Sequence, residues 1–487
     1  MNSVLKEQDY KKIFHYFTEI SAVPRGSRNN TAISKYLINF AVEHKLEYYT
    51  DEFENVVIIK EATKGYEDAP TIMLQGHMDM VCEKANDSTH DFLTEGIELL
   101  VTDDFIHADR TTLGADNGIA VAYSLALLSD ETLQHPRIEV LITTDEEVGM
   151  EGAIGLDVSN LKGKYLLNVD SGEEGIILIS SAGGLTGTAT IPVKRAEAKG
   201  LEVQVAISNL KGGHSGAEIH QNRTNANKLM GRLLFELREE IEFLVLNMEG
   251  GLKDNAIPRD SAATLVIEAD GYSQLEEAVS KLEEKYKNEL KTSEPHLTVT
   301  VNKKEEGTFS PVHPASFEKI LFMLLNTPNG VQVMSSDIKG LVESSLNLGI
   351  FHVKEDGAEF CFSVRSSVNS YKQHINQKLA YFAEFLGGEY VVRAQYPAWE
   401  YKKDSDLRTH LSKVYKDMYE TEPKLEAIHA GLECSFFAAK IPGVDIVSLG
   451  PDMYDIHTPE ERLSISSSIR VYQYLEKVIE GMKDMVK

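Results

Sequence analysis

Acidic residues and histidines follow apolar segments at four places in the sequence. The segment TIMLQ is followed by GHMD, IEVLITT by DEE, YLLNV by Asp170, and VDIVSLGPDMYDI by His457. If these segments are strands of an open α/β sheet, their carboxyl ends can meet at the edge where such sheets bind ligands. A fifth place, TTLGADNG with Asp116, lies just ahead of a helix that is apolar on most faces. We therefore expect these side chains to lie close together.

The spacing of two of these pairs indicates what their members can do. His77 and Asp79 are two residues apart, and residues i and i+2 of a strand face the same side. His77 can then bind a metal while Asp79 hydrogen-bonds its other ring nitrogen. Glu146 and Glu147 are adjacent, so they cannot point the same way. One of them can bind a metal while the other acts as a general base on a metal-held water.

Five acidic residues and two histidines gathered in one place would be unstable as bare charges. A pair of divalent metal ions would resolve this, and histidine with carboxylate is a zinc-type ligand set. Each segment alone also has an ordinary structural interpretation: a hydrogen-bonded HxD pair, a DEE surface loop, or an Asp N-cap in LGADNG. Their joint occurrence in this chain context favours the metal site.

The residues after His457 predict the start of a helix. The sequence TPEE reads as a capping box with proline at the first helical position, so we expect the terminal helix to begin near residue 459. Such a cap would fix the backbone at His457.

The elements that must position these residues indicate an α/β protein. Residues 1–185 alternate helical and strand patterns, with strand candidates NVVIIKE, TIMLQGH, RIEVLITT and KYLLNVD, and residues 399–487 continue the same alternation. Residues 186–398 mix alternating strands with amphipathic helices, an α+β pattern that hints at two related halves. We predict a domain with a mainly parallel sheet flanked by helices, interrupted by an inserted α+β domain.

Composition excludes several classes of partner. The chain has 487 residues and a formal net charge of −27, which argues against nucleic acid or anionic membrane as partners. The three cysteines are far apart and form no CxxC pair, so a reducing compartment is expected. The N-terminus has no apolar signal segment, and no stretch approaches a membrane span. We expect a soluble cytoplasmic protein.

The inserted domain contains three segments that support a substrate site only weakly. KGGHSG places His214 in a glycine-rich turn, where an exposed loop histidine is the ordinary interpretation. DNAIPR, with Asn255, reads as an ordinary loop. FSVRSS places Arg365 on a strand, where an unpaired guanidinium would be costly but could bind a carboxylate with two hydrogen bonds.

Taken together, the motifs resemble a known family. GHMDMV, TLGADNG, TTDEEVGMEG, NVDSGEEG, KGGHSGAEI and DIHTPEER occur in order over essentially the whole chain. They resemble the dinuclear-zinc exopeptidases that include carnosinases, aminoacylases and carboxypeptidase G, and within them the branch that cleaves Xaa-His dipeptides. The resemblance implies a catalytic domain in two parts, residues 1–185 and 399–487, with residues 186–398 as a lid.

The resemblance also implies how the metal ions are held. His77 and Asp170 would bind one zinc, and Glu147 and His457 the second. Asp116 would bridge both ions. The same ligands accept cobalt or manganese, so the sequence does not fix the metal.

Further roles follow from the same resemblance. Asp79 would hold the imidazole of His77, and Glu146 would be the general base. The bond between Asp116 and Asn117 would be a cis peptide.

In the lid, His214 would stabilise the oxyanion, from its own or a partner subunit. Asn255 and Arg365 would hold the carboxylate of a dipeptide substrate, and Gly431, in HAGLEC, would make a backbone contact near it. A homodimer through the lid and a monomer that closes its own site both stay open.

One residue discriminates among activities in the family that the chain resembles. Deacylases and carboxypeptidases of that family usually have Glu where this chain has Asp170, whereas peptidases that recognise a free amino end have Asp. The resemblance therefore implies hydrolysis of dipeptides with a free amino end, preferring Xaa-His and including β-alanyl-histidine. An N-acyl amino acid deacylase or carboxypeptidase is the alternative, and a non-catalytic binding protein would be expected to have lost Glu146 or a ligand.

Overall fold

The computed structural model describes residues 11–485. The predicted absence of a signal peptide and the start of the first predicted helix fall on residues 1–10, outside the described residues. The strands are β1 Glu47–Thr50, β2 Val56–Lys60, β3 Ile72–His77, β4 Leu99–Thr102, β5 Phe105–Ala108, β6 Ile138–Thr143, β7 Tyr165–Asn168, β8 Ile176–Ser181, β9 Gly183–Pro192, β10 Ala198–Ser208, β11 Gly213–His214, β12 Leu244–Gly250, β13 Ala256–Ile257, β14 Ser261–Ile267, β15 Thr298–Phe309, β16 Gly330–Met334, β17 Val342–Val353, β18 Gly357–Ser366, β19 Glu389–Tyr396, β20 Lys424–Ile428, β21 Asp445–Ser448, β22 Met453–Tyr454 and β23 Arg462–Ser464. The α-helices are α1 Lys11–Ser21, α2 Thr31–Glu43, α3 Ala115–Leu128, α4 Glu151–Gly155, α5 Ala226–Leu237, α6 Tyr272–Glu289, α7 Pro314–Asn326, α8 Asn369–Phe385, α9 Asp406–Tyr419, α10 Cys434–Lys440 and α11 Ile465–Gly481.

The chain forms two compact units. Within the described residues, the first unit contains residues 11–180, 401–427 and 432–485, and the second contains residues 181–400 and 428–431. The assignment of the first unit to catalysis and of the second to a lid stays a prediction. No helix within residues 11–485 is long and apolar enough to cross a membrane.

The first unit is built on an eight-stranded sheet in the order β1-β2-β6-β3-β7-β21-β8-β20. Its central strands β6, β3, β7 and β21 are parallel, whereas β1 and β2 are antiparallel to their neighbours and β8 is antiparallel to β21. Strands β3, β6 and β7 are buried along their whole length, as central parallel strands usually are. Most of their residues are apolar, and polar ones such as Gln75 and Glu139 are hydrogen-bonded. The α/β class is confirmed, and the parallel arrangement is confined to the centre of the sheet.

The second unit contains a sheet in the order β15-β10-β14-β12-β17-β18-β9-β19. The strands β10, β12, β14 and β15, with helices α5 and α6, form one strand–helix–strand–strand–helix–strand half. The strands β9, β17, β18 and β19, with helices α7 and α8, form the other half. The first half lies in sequence between β9 and α7 of the second, and β12 pairs with β17 where the halves join. One apolar core cluster runs through both halves.

The predicted start of the terminal helix is wrong. The TPEE sequence forms turns, β23 follows it, and α11 begins at Ile465 with Ser464 as its N-cap. Glu461 is not available for a capping box, because its carboxylate accepts hydrogen bonds from the backbone of residues 113–116. Thr458 instead donates to the carbonyl of Asp455 at 2.7 Å.

Candidate metal centre and substrate-binding residues

The carboxyl ends of three parallel strands meet at one edge of the first unit's sheet. His77 of β3 is level with Thr143 of β6, and Gln75 of β3 is level with Asn168 of β7. The loops that leave this edge therefore start side by side. The ends of β3, β6 and β7 and the loops that follow them carry five of the predicted metal-site residues, which are His77, Asp79, Glu146, Glu147 and Asp170. Asp116 from the start of α3 and His457 from the turn after β22 join them.

Asp116 lies between the two histidines. One of its carboxylate oxygens is 3.1 Å from Nε2 of His77, and the other is 3.2 Å from Nε2 of His457. The neighbouring Asn117 fixes this position, because its side chain accepts from the amide of His77 at 3.2 Å and donates to the carbonyl of Val169 at 2.5 Å. The Asp116–Asn117 peptide is cis. Asp116 is thus placed between the ends of β3 and β7.

His77 is held from both ring nitrogens. Its Nδ1 is 3.1 Å from the backbone carbonyl of Asp79 and 3.3 Å from a carboxylate oxygen of the same residue, and its Nε2 also lies 3.7 Å from Asp170. The carboxylate of Asp79 further accepts hydrogen bonds from the hydroxyl of Ser27 at 2.7 Å and the amide of Glu146 at 3.0 Å. Asp79 thus fixes both the imidazole and the start of the loop that carries Glu146.

The second histidine completes the other side of the site. Nε2 of His457 lies 3.0 Å from a carboxylate oxygen of Glu147. His457 has a φ of +64°, in the left-handed region that is uncommon for residues other than glycine. A tight turn, rather than the predicted helix start, presents this side chain.

The charges of the site shift several pKa values. Burial opposes the charged form of His77, but its hydrogen bonds to carboxylates outweigh this and raise its pKa well above the usual value. Hydrogen bonds to Asp116 and Glu147 raise the pKa of His457 to about 10. Burial and the charge of Asp116 raise the pKa of Asp170 to about 6.

Glu146 has the environment of a group that can hold a proton. Burial raises its pKa well above the usual value, the charge of His77 opposes this rise, and the charge of Asp170 adds to it. Glu146 also lies with His77 and Glu147 in a group whose ligand atoms are all within 4.8 Å of one another.

The donor set fits two metal ions that share a ligand. Two further groups of ligand atoms, each within 4.8 Å, are His77 with Asp116 and Asp170, and Asp116 with Glu147 and His457. A tetrahedral zinc ion with bonds of about 2.0–2.1 Å places its ligand atoms roughly 3.3 Å apart. The contacts of 3.0–3.2 Å around Asp116 are close to this spacing.

Sequence reasoning missed a buried acid behind this edge. Glu433 is fully buried, and one of its oxygens accepts from Nε2 of Gln75 at 2.5 Å and from the hydroxyl of Thr143 at 2.7 Å. Burial raises the pKa of Glu433 to about 7. No spacing in the sequence links residue 433 to residues 75 and 143, so no local pattern could have found it.

In the second unit, a short strand pair brings two predicted substrate residues together. β11, which ends at His214, pairs with β13, and the amide of Ser215 donates to the carbonyl of Asn255 at 2.9 Å. Asn255 is exposed. Burial and the positive charge of Arg365 lower the pKa of His214, which therefore stays neutral at pH 7.

Arg365 lies close to His214 on the same unit. A Cβ atom built on Gly216 would be 3.0 Å from Cε1 of His214 and 3.1 Å from Nε of Arg365, so glycine lets these side chains approach. Arg365 donates to the hydroxyl of Tyr396 at 3.2 Å, and no carboxylate within residues 11–485 forms an ion pair with it. Gly431 lies two residues after His429, whose Nε2 is 2.7 Å from the hydroxyl of Ser345.

An α/β sheet that gathers histidines and carboxylates at its carboxyl edge, with an α+β unit inserted in the chain, is the architecture of a metal-dependent hydrolase. Residues 73–481 match the sequence profile of peptidase family M20/M25/M40, and the chain belongs to this family. The family resemblance inferred from the motifs is confirmed, and the protein is a hydrolase.

Two relatives are similar over nearly the whole chain. The cytosol non-specific dipeptidase of Escherichia coli (strain K12) is 35% identical over 469 residues, which cover 96% of each chain. The crystal structure of aminoacylhistidine dipeptidase from Vibrio alginolyticus is 33% identical and superposes with a TM-score of 0.92 over 98% of each chain. The aminopeptidase PepT from Bacillus cereus, 16% identical with a TM-score of 0.56 over 97% of this chain and 99% of its own, shares the fold.

Proposed function

We propose that this protein is a metal-dependent dipeptidase that hydrolyses dipeptides with a free amino end and prefers Xaa-His, including β-alanyl-histidine. The observation that carries the proposal is the position of Asp116, whose two oxygens face two different histidines at 3.1 Å and 3.2 Å. The two relatives above are dipeptidases by name, one of them non-specific and the other for aminoacylhistidine. The activity rests on both, and the Xaa-His preference on the second alone.

In this proposal the metal site holds two divalent ions, zinc in the first instance, with cobalt or manganese as alternatives. His77 and Asp170 would hold one ion, Glu147 and His457 would hold the other, and Asp116 would be shared. Bound zinc lowers the pKa of a water ligand toward ~7 and polarises a carbonyl.

The protein's own groups then move and hold the proton. Glu146 accepts the proton of the attacking water and passes it to the amine of the leaving residue. The upward direction of its pKa shift supports this role, because Glu146 must hold the proton between accepting it from water and donating it to the amine. Asp79 keeps the imidazole of His77 oriented by accepting from its Nδ1.

The second unit is proposed to bind the substrate. Arg365 and Asn255 hold the carboxylate of the dipeptide, and His214, from its own or a partner subunit, donates to the developing oxyanion. Gly431 contributes a backbone contact. The neutral state of His214 and the missing carboxylate partner of Arg365 within the described residues support these roles. We also propose a cytoplasmic enzyme and leave a homodimer through this unit as an alternative to a monomer.

A panel of dipeptides that differ in the second residue, assayed with added zinc, tests the reaction and its preference. Xaa-His dipeptides should give the highest kcat/KM, and N-acetylated versions should be rejected. Preferred cleavage of the blocked substrates would instead support an N-acyl amino acid deacylase or carboxypeptidase. Activity that survives complete removal of metal would contradict the proposal.

The variant Glu146→Gln tests the proposed base. We expect kcat to fall about 10²–10⁴-fold, the usual contribution of general acid–base catalysis, while the protein still binds two metal ions. Glu151→Gln is the matched control, because this exposed acid lies a few residues further along and has no proposed role. Near wild-type turnover by the Glu146 variant with metal bound would show that another group is the base.

A further inference from the structure

The loop of residues 113–116 carries the carboxylate that both proposed metal ions would share. The carboxylate of Glu461 accepts hydrogen bonds from four consecutive amides of this loop: Leu113 at 2.8 Å, Gly114 at 3.0 Å, Ala115 at 2.8 Å and Asp116 at 3.3 Å. Successive amides that turn toward one point form an anion-binding concavity, and Gly114 supplies the positive φ of +69° within it. Glu461 thereby fixes the loop from one side.

Arg25 holds the same loop through its carbonyl groups. Its Nη2 donates to the carbonyl of Gly114 at 2.5 Å, and its Nη1 donates to the carbonyl of Met78 at 3.0 Å. Met78 directly follows His77, so one guanidinium joins the loop of Asp116 to the end of β3. A Cβ built on Gly114 or on Gly118 would lie 2.5 Å or 2.6 Å from Nη2, so both glycines make room for this side chain.

Both of these charges are buried, and Glu461 and Asp79 lie near enough to Arg25 to offset part of the cost of burying its charge. Glu461 and Arg25 are each only 2% exposed, and neither forms an ion pair within residues 11–485. A buried charge is costly unless hydrogen bonds compensate it. Here the hydrogen bonds to both charges come mainly from backbone amides and carbonyls of the loops that present His77 and Asp116. Packing of the apolar side chains alone would not require these bonds.

We infer that Glu461 and Arg25 form a clamp of positioning residues that sets the distance between Asp116 and His77, and that zinc affinity therefore depends on two residues that bind no metal. The inference rests on the proposed function, since it takes Asp116 as the shared ligand. Under this inference, the hydrogen bonds that hold residues 113–116 belong to the metal site.

The decisive variant is Glu461→Gln, because a glutamine keeps one acceptor oxygen and turns an NH₂ group toward amides that are themselves donors. The readout is the Zn²⁺ dissociation constant of the folded, metal-free protein, measured by competition with a chromophoric chelator. We expect a loss of about 10–100-fold, the usual effect of removing a group that orients a metal ligand. Arg25→Lys should have a similar effect, because lysine keeps the positive charge but lacks the two guanidinium nitrogens that donate to the carbonyls of Met78 and Gly114.

Glu139→Gln is the matched control. Glu139 is also fully buried and accepts from the amides of Lys162 and Gly163 at 3.0 Å, but it is paired with Arg137 at 3.0 Å and lies at the amino end of β6, away from the site edge. Both glutamine variants should lower the melting temperature of the metal-free protein, and only the Glu461 variant should weaken Zn²⁺ binding. If Glu461→Gln does not fold, Glu461→Asp keeps the charge and should give an intermediate loss of affinity.

The result separates two kinds of failure. If Asp116→Asn binds zinc as tightly as the wild type, the proposed metal centre is wrong, and the clamp falls with it. If Asp116→Asn loses affinity while Glu461→Gln, or Glu461→Asp in its place, stays within about threefold of the wild type, the clamp alone is wrong. An equal loss of affinity in Glu139→Gln would also overturn it, because the effect would then be general destabilisation.

Discussion

A single carboxylate, that of Asp79, organises groups from three parts of the first unit. It lies 3.3 Å from Nδ1 of His77, accepts from Ser27 at 2.7 Å and accepts from the amide of Glu146 at 3.0 Å. Although burial raises the pKa of Asp79, the hydrogen bond from His77 and the others hold it below its usual range. Asp79 therefore stays ionised, and its charge keeps the imidazole oriented for a ligand on Nε2.

The protonation of the two histidines has a measurable consequence for metal binding. The pKa of His457 is raised to about 10 and that of His77 lies well above its usual value, so both are protonated at pH 7 in the metal-free protein. A histidine must lose its proton from the ligating nitrogen to bind a metal. We expect zinc binding at pH 7 to release at least two protons, one from each imidazole. Calorimetric titrations in buffers of different ionisation enthalpy measure this number.

The same linkage fixes the direction of the pH dependence. Because the protons compete with zinc up to the raised pKa values, affinity should rise steadily from pH 6 to pH 9 rather than level off at pH 7. The variant His457→Ala should release one proton fewer. Binding without proton release at pH 7 would show that the histidines are neutral before the metal arrives.

At the scale of elements, His77 is positioned by the end of a parallel strand, whereas His457 is positioned by a turn that comes before α11. β3, β6 and β7 end side by side, so the strand pattern alone places His77 near the loops that follow Thr143 and Asn168. The His457 turn depends on β23, which pairs with β5 and thereby ties this segment to a small separate sheet. Helix α11 starts only after that strand.

The start of α11 gives a test by substitution. Ser464 accepts from the amide of Ser467 at 3.2 Å and donates to Asp104 at 2.8 Å, so Ser464→Ala should lower the free energy of unfolding by about 1 kcal/mol. Thr458→Ala should change it by less than about 0.5 kcal/mol, because no helix begins there. Urea denaturation of the metal-free variants measures both. A larger cost at Thr458 than at Ser464 would restore the helix start that the TPEE sequence predicted.

Over the whole molecule, the sequence predicts what depends on local periodicity and misses what joins distant segments. The strands that end near His77, Glu146 and Asp170 were predictable, because apolar runs followed by polar residues are short-range patterns. The hydrogen bonds that Glu461 accepts from the amides of residues 113–116 span about 345 positions, and the local TPEE sequence resembles a helix cap instead. The two halves of the second unit are also hard to recognise from the sequence, because one half is inserted within the other and separates its strands along the chain.

The proposed division of labour between the units gives the last prediction. The proposed metal ligands belong to the first unit, and Arg365, the proposed carboxylate-binding residue, belongs to the second, so the two functions should be separable by mutation. Arg365→Ala should lower kcat/KM for a free dipeptide about 10–100-fold, the worth of charge-assisted hydrogen bonds, with zinc affinity unchanged. Arg393→Ala, at an exposed position of β19 in the same sheet, is the control. With a dipeptide amide, which offers no carboxylate, the Arg365 variant should be no slower than the wild type, and an equal loss on both substrates would mean that Arg365 does not recognise the carboxylate.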